Sequence, residues 1–133
     1  MLRHVTSYIS SEELTLRFHR TSQAGILWTY FKRLEAFLSV IDPEILLVHS
    51  GGPRTVERNK VVGGHPHSRH LWKHGDADDF VIAPGSPTGD YDTLVSQALR
   101  CGLYAIAHDV GSGMHLHVQI PKRDRQRLLE ELR

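Results

Sequence analysis

Apolar residues recur at helical spacing over 22–41, where Leu27, Tyr30, Phe31, Leu34, Phe37, Leu38 and Ile41 form one stripe. Asp42-Pro43 stops the run, because the residue before a proline is pushed out of the α region. The stripe predicts a long buried helix whose aromatic rings belong to the core. Ahead of it the pattern is mixed. Val5, Tyr8 and Ile9 suggest a short strand, and Ser10-Ser11-Glu12-Glu13-Leu14 has the form of a helix start. Behind it, 45–48 is a brief apolar run with β-branched members, read as a buried strand that delivers the loop Ser50-Gly51-Gly52-Pro53-Arg54.

Further along, Thr55 is placed to cap a short helix through Val62, which Gly63-Gly64 ends. The stretch 77–83 reads as a strand and 84–89 as a loop. Asp90 caps a helix whose face is Leu94, Val95, Ala98 and Leu99, with Gly102 as its left-handed terminator. A strand over 103–107, a glycine-bearing turn over 108–113 and a strand over 114–120 predict a hairpin, with His115 and His117 on one face. Pro121 then opens a closing helix through Leu132.

At 133 residues the chain is expected to form one domain spanning 1–133, with no internal repeat or linker. Its 16 Lys and Arg against 15 Asp and Glu leave a formal charge of +1, which offers no basic field for nucleic acid. The basic stretch 122–127 is interleaved with Asp124 and reads as a solvated helix face. Cys101 has no partner for a disulfide and reads as a small core residue. No apolar run reaches the ~20 residues of a membrane span, and the N-terminus lacks the apolar stretch of a secretory signal. A monomer made in the cytoplasm is expected. Action outside the membrane would then need lysis, a separate export route or delivery by a particle.

Seven of the ten histidines lie between His65 and His117. The stretch 50–80 adds glycines, Arg54 and the acids Asp76, Asp78 and Asp79, and together with His115 and His117 it supplies the His and Asp side chains that commonly ligate zinc. On the residues alone, each of the three aspartates is an open choice for the carboxylate ligand. His65 and His74 read as exposed turn residues, and Asn59 as a shaper of its turn. Trp72 is either a wall of a cleft or an ordinary half-buried ring.

The order SGGPRTVERNKVVGGHPHSRHL, then GDADDF, then HLHVQI resembles the zinc D-alanyl-D-alanine carboxypeptidases and endolysin-type L-alanyl-D-glutamate peptidases over about 46–120. The resemblance implies a small α+β fold of the hedgehog-like peptidase kind, an antiparallel sheet flanked by helices with one zinc ion at its edge. It maps the metal ligands to His70, Asp79 and His117 and the substrate-engaging arginine to Arg54, with Ser68 orienting the loop or the substrate. It also places a proton-transfer group shortly before the last ligand, where His115 and Asp109 are the choices. Three ligands leave zinc a fourth position open for chemistry.

Three departures from the family pattern stand out. Trp72-Lys73 is an apparent insertion that makes the ligand loop bulge, Pro53 replaces an aromatic residue, and Gln119 stands where an Asp is usual. The function the resemblance implies is hydrolysis of peptidoglycan stem peptides at D-Ala-D-Ala or L-Ala-D-Glu bonds, a task suited to a phage lysis enzyme. The alternative is a non-catalytic zinc-binding structural, virion or cell-wall-binding protein of the same fold.

Overall fold

The computed structural model describes residues 1–86, 89–109, 111 and 113–131. The expected loop at 87–88, the turn positions 110 and 112 and the helix end at Leu132 lie outside the described residues. The fold is α+β: five helices and a four-stranded antiparallel sheet of order β1-β2-β4-β3. In chain order the elements are α1 (Ser11–Arg20), α2 (Ala24–Val40), β1 (Leu47–Gly51), α3 (Val56–Val61), β2 (Ala77–Ile82), α4 (Tyr91–Arg100), β3 (Tyr104–Asp109), β4 (Met114–Gln119) and α5 (Lys122–Glu131).

The caps fall where the residue types predict. The side chains of Ser10, Thr55 and Asp90 accept from the backbone N–H of Glu13, Arg58 and Thr93, satisfying amides that a helix start leaves open. Gly102 ends α4 at φ 83°, a conformation that side-chain-bearing residues rarely adopt. One expectation fails. Val5–Ser7 is a single 3-10 turn rather than a strand, because the Glu35 carboxylate on α2 accepts from the N–H of His4 and Val5 and gathers that segment onto the helix.

Each strand alternates between two surfaces. Phe80, Leu116, Val118 and Ala105 face the core, which α2 supplies with Ile26, Leu27, Tyr30, Phe31, Leu34 and Phe37 and α4 with Leu94 and Ala98. Truncating a fully buried ring such as Phe80 to alanine would cost about 3–5 kcal/mol. The opposite surface carries Asp79, His117, His115, Ile106 and His108. Register aligns Gly51, Asp79, His117 and Ile106 in one row across all four strands, so residues far apart in the chain meet there.

Candidate metal centre

Three side chains converge on this row. His70 Nε2 lies 3.3 Å from His117 Nδ1, His117 Nδ1 lies 3.0 Å from Asp79 Oδ1, and His70 Nε2 lies 3.4 Å from Asp79 Oδ2. The trio could hold a metal ion. Zinc–ligand bonds of about 2.0–2.1 Å at tetrahedral angles put neighbouring donor atoms about 3.3 Å apart, so the spacing fits that ion.

The outer partners of both imidazoles fix which nitrogen is free. His70 Nδ1 donates to the Gly52 carbonyl at 3.0 Å, and His117 Nε2 donates to Gln119 Oε1 at 2.7 Å. Their remaining nitrogens therefore present lone pairs to each other and to the Asp79 carboxylate. Three acceptors facing one point repel unless a cation or a proton lies between them. The titration follows: burial would lower the His117 pKa, but its bonds to Asp79 and Gln119 outweigh burial and raise it. Burial would likewise raise Asp79, and its bonds to His117 and His70 hold it below the usual carboxylate range instead.

The other two aspartates are committed elsewhere. Asp76 takes the Arg69 guanidinium in two bonds, at 2.9 and 2.7 Å. Asp78 points to the helical side of the sheet, where Arg17 donates to both oxygens at 2.8 and 2.6 Å and the Tyr30 hydroxyl and His49 each reach it at 2.6 Å. Burial pushes the Asp78 carboxyl up, but the Arg17 charge and these bonds prevail and hold it down to about 2. Of the three candidate carboxylates, only Asp79 shares a cluster with the two imidazoles.

The glycine loop is shaped by this crowding. A Cβ on Gly51 would come within 3.2 Å of Asp79 Oδ2, and one on Gly52 would meet the Arg17 guanidinium at 2.8 Å. The loop thus passes between the His70–Asp79–His117 cluster and the buried ion pair, and Gly52 gives its carbonyl to His70. Arg54 follows. Its backbone N–H bonds the His70 carbonyl at 2.6 Å, and its carbonyl accepts from the Trp72 N–H at 3.2 Å, which ties the arginine to the turn that bears His70. Ser68 completes the link, accepting from Arg54 Nη2 at 3.3 Å and from the His70 N–H at 3.2 Å.

The cluster opens on a cleft of about 1120 Å³ lined by Arg54, Ser68 and His115 among others. His115 Nδ1 lies 3.4 Å from Ser50 Oγ, and His108 stands across from His115 in the hairpin. Asp109 is not brought to the cluster: it sits at the hairpin end, where its Oδ1 accepts from the N–H of Gly111 and Gly113. Trp72 is likewise absent from the cleft lining. The Arg20 guanidinium lies 4.7 Å from its ring centre, while the Lys73 carbonyl accepts from the Ser22 N–H, so the insertion docks on the α1–α2 junction. His74 is half-buried rather than exposed, with Nδ1 lacking a partner, whereas His65 is exposed. Asn59 shapes its turn as expected, donating to the His65 carbonyl at 2.8 Å.

The role of Gln119 was missed in the sequence, although its position two residues beyond His117 puts both on one strand face. Gly52 gave no such sign, since its contribution is a backbone carbonyl. No family model, no curated protein and no solved structure matches the chain.

Proposed function

We propose that the chain is a zinc-dependent peptidase of peptidoglycan stem peptides with a hedgehog-like peptidase fold, acting at D-Ala-D-Ala or L-Ala-D-Glu bonds. The observation that carries this reading is the His70–Asp79–His117 cluster, with donor spacing suited to zinc and all three residues lining the cleft. The choice of substrate is supported by the order of the motifs around Arg54, Ser68, His70, Asp79 and His117.

When bound, zinc supplies Lewis-acid polarisation of a peptide carbonyl and makes water nucleophilic near neutral pH. The protein's own groups do the rest. Gly52 and Gln119 hold the two imidazoles in the tautomers that ligate. Arg54 engages a substrate carboxylate or the oxygen on which negative charge develops. His115, in the cleft and near the cluster, takes the proton from the attacking water and returns it to the leaving amine. The cell wall is the proposed place of action, reached after lysis, by export or on a particle.

One observation favours the non-catalytic reading. Among the described residues Asp79 is the only carboxylate lining the cleft, so proton transfer falls to histidine alone. Incubating the zinc-loaded chain with purified peptidoglycan separates the two readings. New free amino groups or terminal D-alanine are expected; stoichiometric zinc with no released product would contradict the peptidase.

A further inference from the structure

Arg17 on α1 is fully buried, and its guanidinium reaches three segments that carry the cluster. Nη1 donates to Asp78 Oδ2 at 2.8 Å and to the Gly75 carbonyl at 3.2 Å. Nη2 donates to Asp78 Oδ1 at 2.6 Å and to Glu13 Oε2 at 2.7 Å. Phe31 backs the group, its ring centre 5.5 Å from Cζ. On the loop side Gly52 rests so closely on the guanidinium that a Cβ there would stand 2.8 Å from Nη2 and 3.2 Å from His49 Cε1. Two of these contacts flank His70. Gly52 accepts from His70 Nδ1 at 3.0 Å, and Gly75 closes the turn that follows His70, its N–H donating to the Leu71 carbonyl at 2.9 Å. The third, Asp78, precedes Asp79 in β2.

Stability alone does not account for the arrangement. A buried ion pair gains little over well-packed apolar side chains of the same volume. Arg17 Nε, moreover, has no hydrogen-bond partner among the described residues, which costs the fold further. What a planar, rigid fork supplies and an apolar side chain cannot is a fixed spacing between the polar groups around it.

We propose that Arg17 is a positioning residue of the candidate metal centre: it sets the Gly52 loop and the Gly75 turn at one spacing and so aims His70 Nε2 at Asp79 and His117. The inference rests on the zinc-site part of the proposed function and deepens it. It extends the centre to α1, outside the stretch 46–120 over which the motifs run.

The test is a double-mutant cycle in the full chain with Arg17→Lys and Gly52→Ala. Lysine keeps a cation against Asp78, and with it a cooperative urea transition, but lacks the fork that spans Gly52 and Gly75. In the zinc-free chain, NMR is expected to resolve the His70 Nδ1 proton held by the Gly52 carbonyl, and Arg17→Lys should broaden or abolish that signal. Zinc affinity, read by competition with a chromophoric chelator, should fall about tenfold or more in each single variant. Gly52→Ala should cost less than about threefold further in the Arg17→Lys chain, where the guanidinium it would strike is gone. A parent-like His70 signal and zinc affinity in Arg17→Lys, or equal costs of Gly52→Ala in both backgrounds, would overturn the positioning. If Arg17→Lys fails to fold, Gly52→Ala decides alone: a parent-like signal and affinity there would overturn it too.

The two readings fail separately. A chain that cleaves peptidoglycan while Arg17→Lys binds zinc like the parent contradicts only the positioning. One whose zinc affinity depends on Arg17, yet which releases nothing from peptidoglycan, supports the positioning and contradicts the peptidase.

Discussion

Asp78 and Asp79 are adjacent in β2 and face opposite sides of the sheet, Asp78 toward the Arg17 guanidinium and Asp79 toward the imidazoles of His70 and His117. Strand alternation alone gives the two neighbours different tasks. Asp78→Asn should destabilise the fold by about 3–5 kcal/mol, since it removes the buried carboxylate charge that faces Arg17 and leaves that guanidinium with the partly exposed Glu13 alone. Asp79→Asn should cost the zinc-free fold less than Asp78→Asn does, since it loses only its bonds to His70 and His117, and should abolish tight zinc binding. Urea denaturation and zinc titration of both variants check the contrast, and the opposite pattern would exchange their roles.

Gln119 holds His117 through its outer nitrogen, at 2.7 Å. Gln119→Leu removes the acceptor and frees the ring to turn or to change tautomer. Zinc affinity should fall about 10–100-fold, the usual effect of losing such an outer partner. Gln119→Glu keeps an acceptor at the same place and should retain tight binding. Competition with a chromophoric chelator measures both.

Much of this arrangement was legible in the sequence because it follows short-range rules. Ser10, Thr55, Asp90 and Gly102 mark helix ends through their own chemistry, and the stripe from Leu27 to Phe37 marks the core helix through its period. His115 and His117 share a face for the same kind of reason. Val5 to Ser7 escaped because the residue that decides it, Glu35, lies about 30 positions away on α2. The setting of Trp72 escaped likewise, since it depends on Arg20 and the α1–α2 turn. Asp78 could be told from Asp79 only once Arg17 and Tyr30 were known to stand behind the sheet.

Arg54 touches neither the donors of the cluster nor a carboxylate partner, so its removal should separate binding of metal from turnover. Arg54→Ala should retain one zinc per chain and lower the rate of peptidoglycan hydrolysis by about 100-fold or more, the effect expected when a group stabilising developing charge is lost. Loss of zinc in this variant would instead make Arg54 a structural support of the His70 turn.

His74 supplies a pH signature of the fold. Burial, with the Arg69 charge adding to it, lowers its pKa to about 4 from an ordinary value of 6.5. Between those values the unfolded chain binds a proton that the folded chain does not, so stability is full above pH 6.5 and declines as pH falls toward 4. The group's share is about 1–2 kcal/mol after allowance for its partial exposure. His74→Gln should flatten the stability profile in that window alone, as urea midpoints taken from pH 7 to pH 4 would show.

The convergence of His70, Asp79 and His117 into a cluster that could hold one ion underlies every functional statement above. Its most direct test is the zinc stoichiometry of the purified chain and of His117→Ala, measured by native mass spectrometry after equilibration with equimolar zinc. One zinc per parent chain and none in the variant is the predicted result. A parent chain that takes up no zinc, or a variant that holds it as tightly as the parent, would contradict the metal centre.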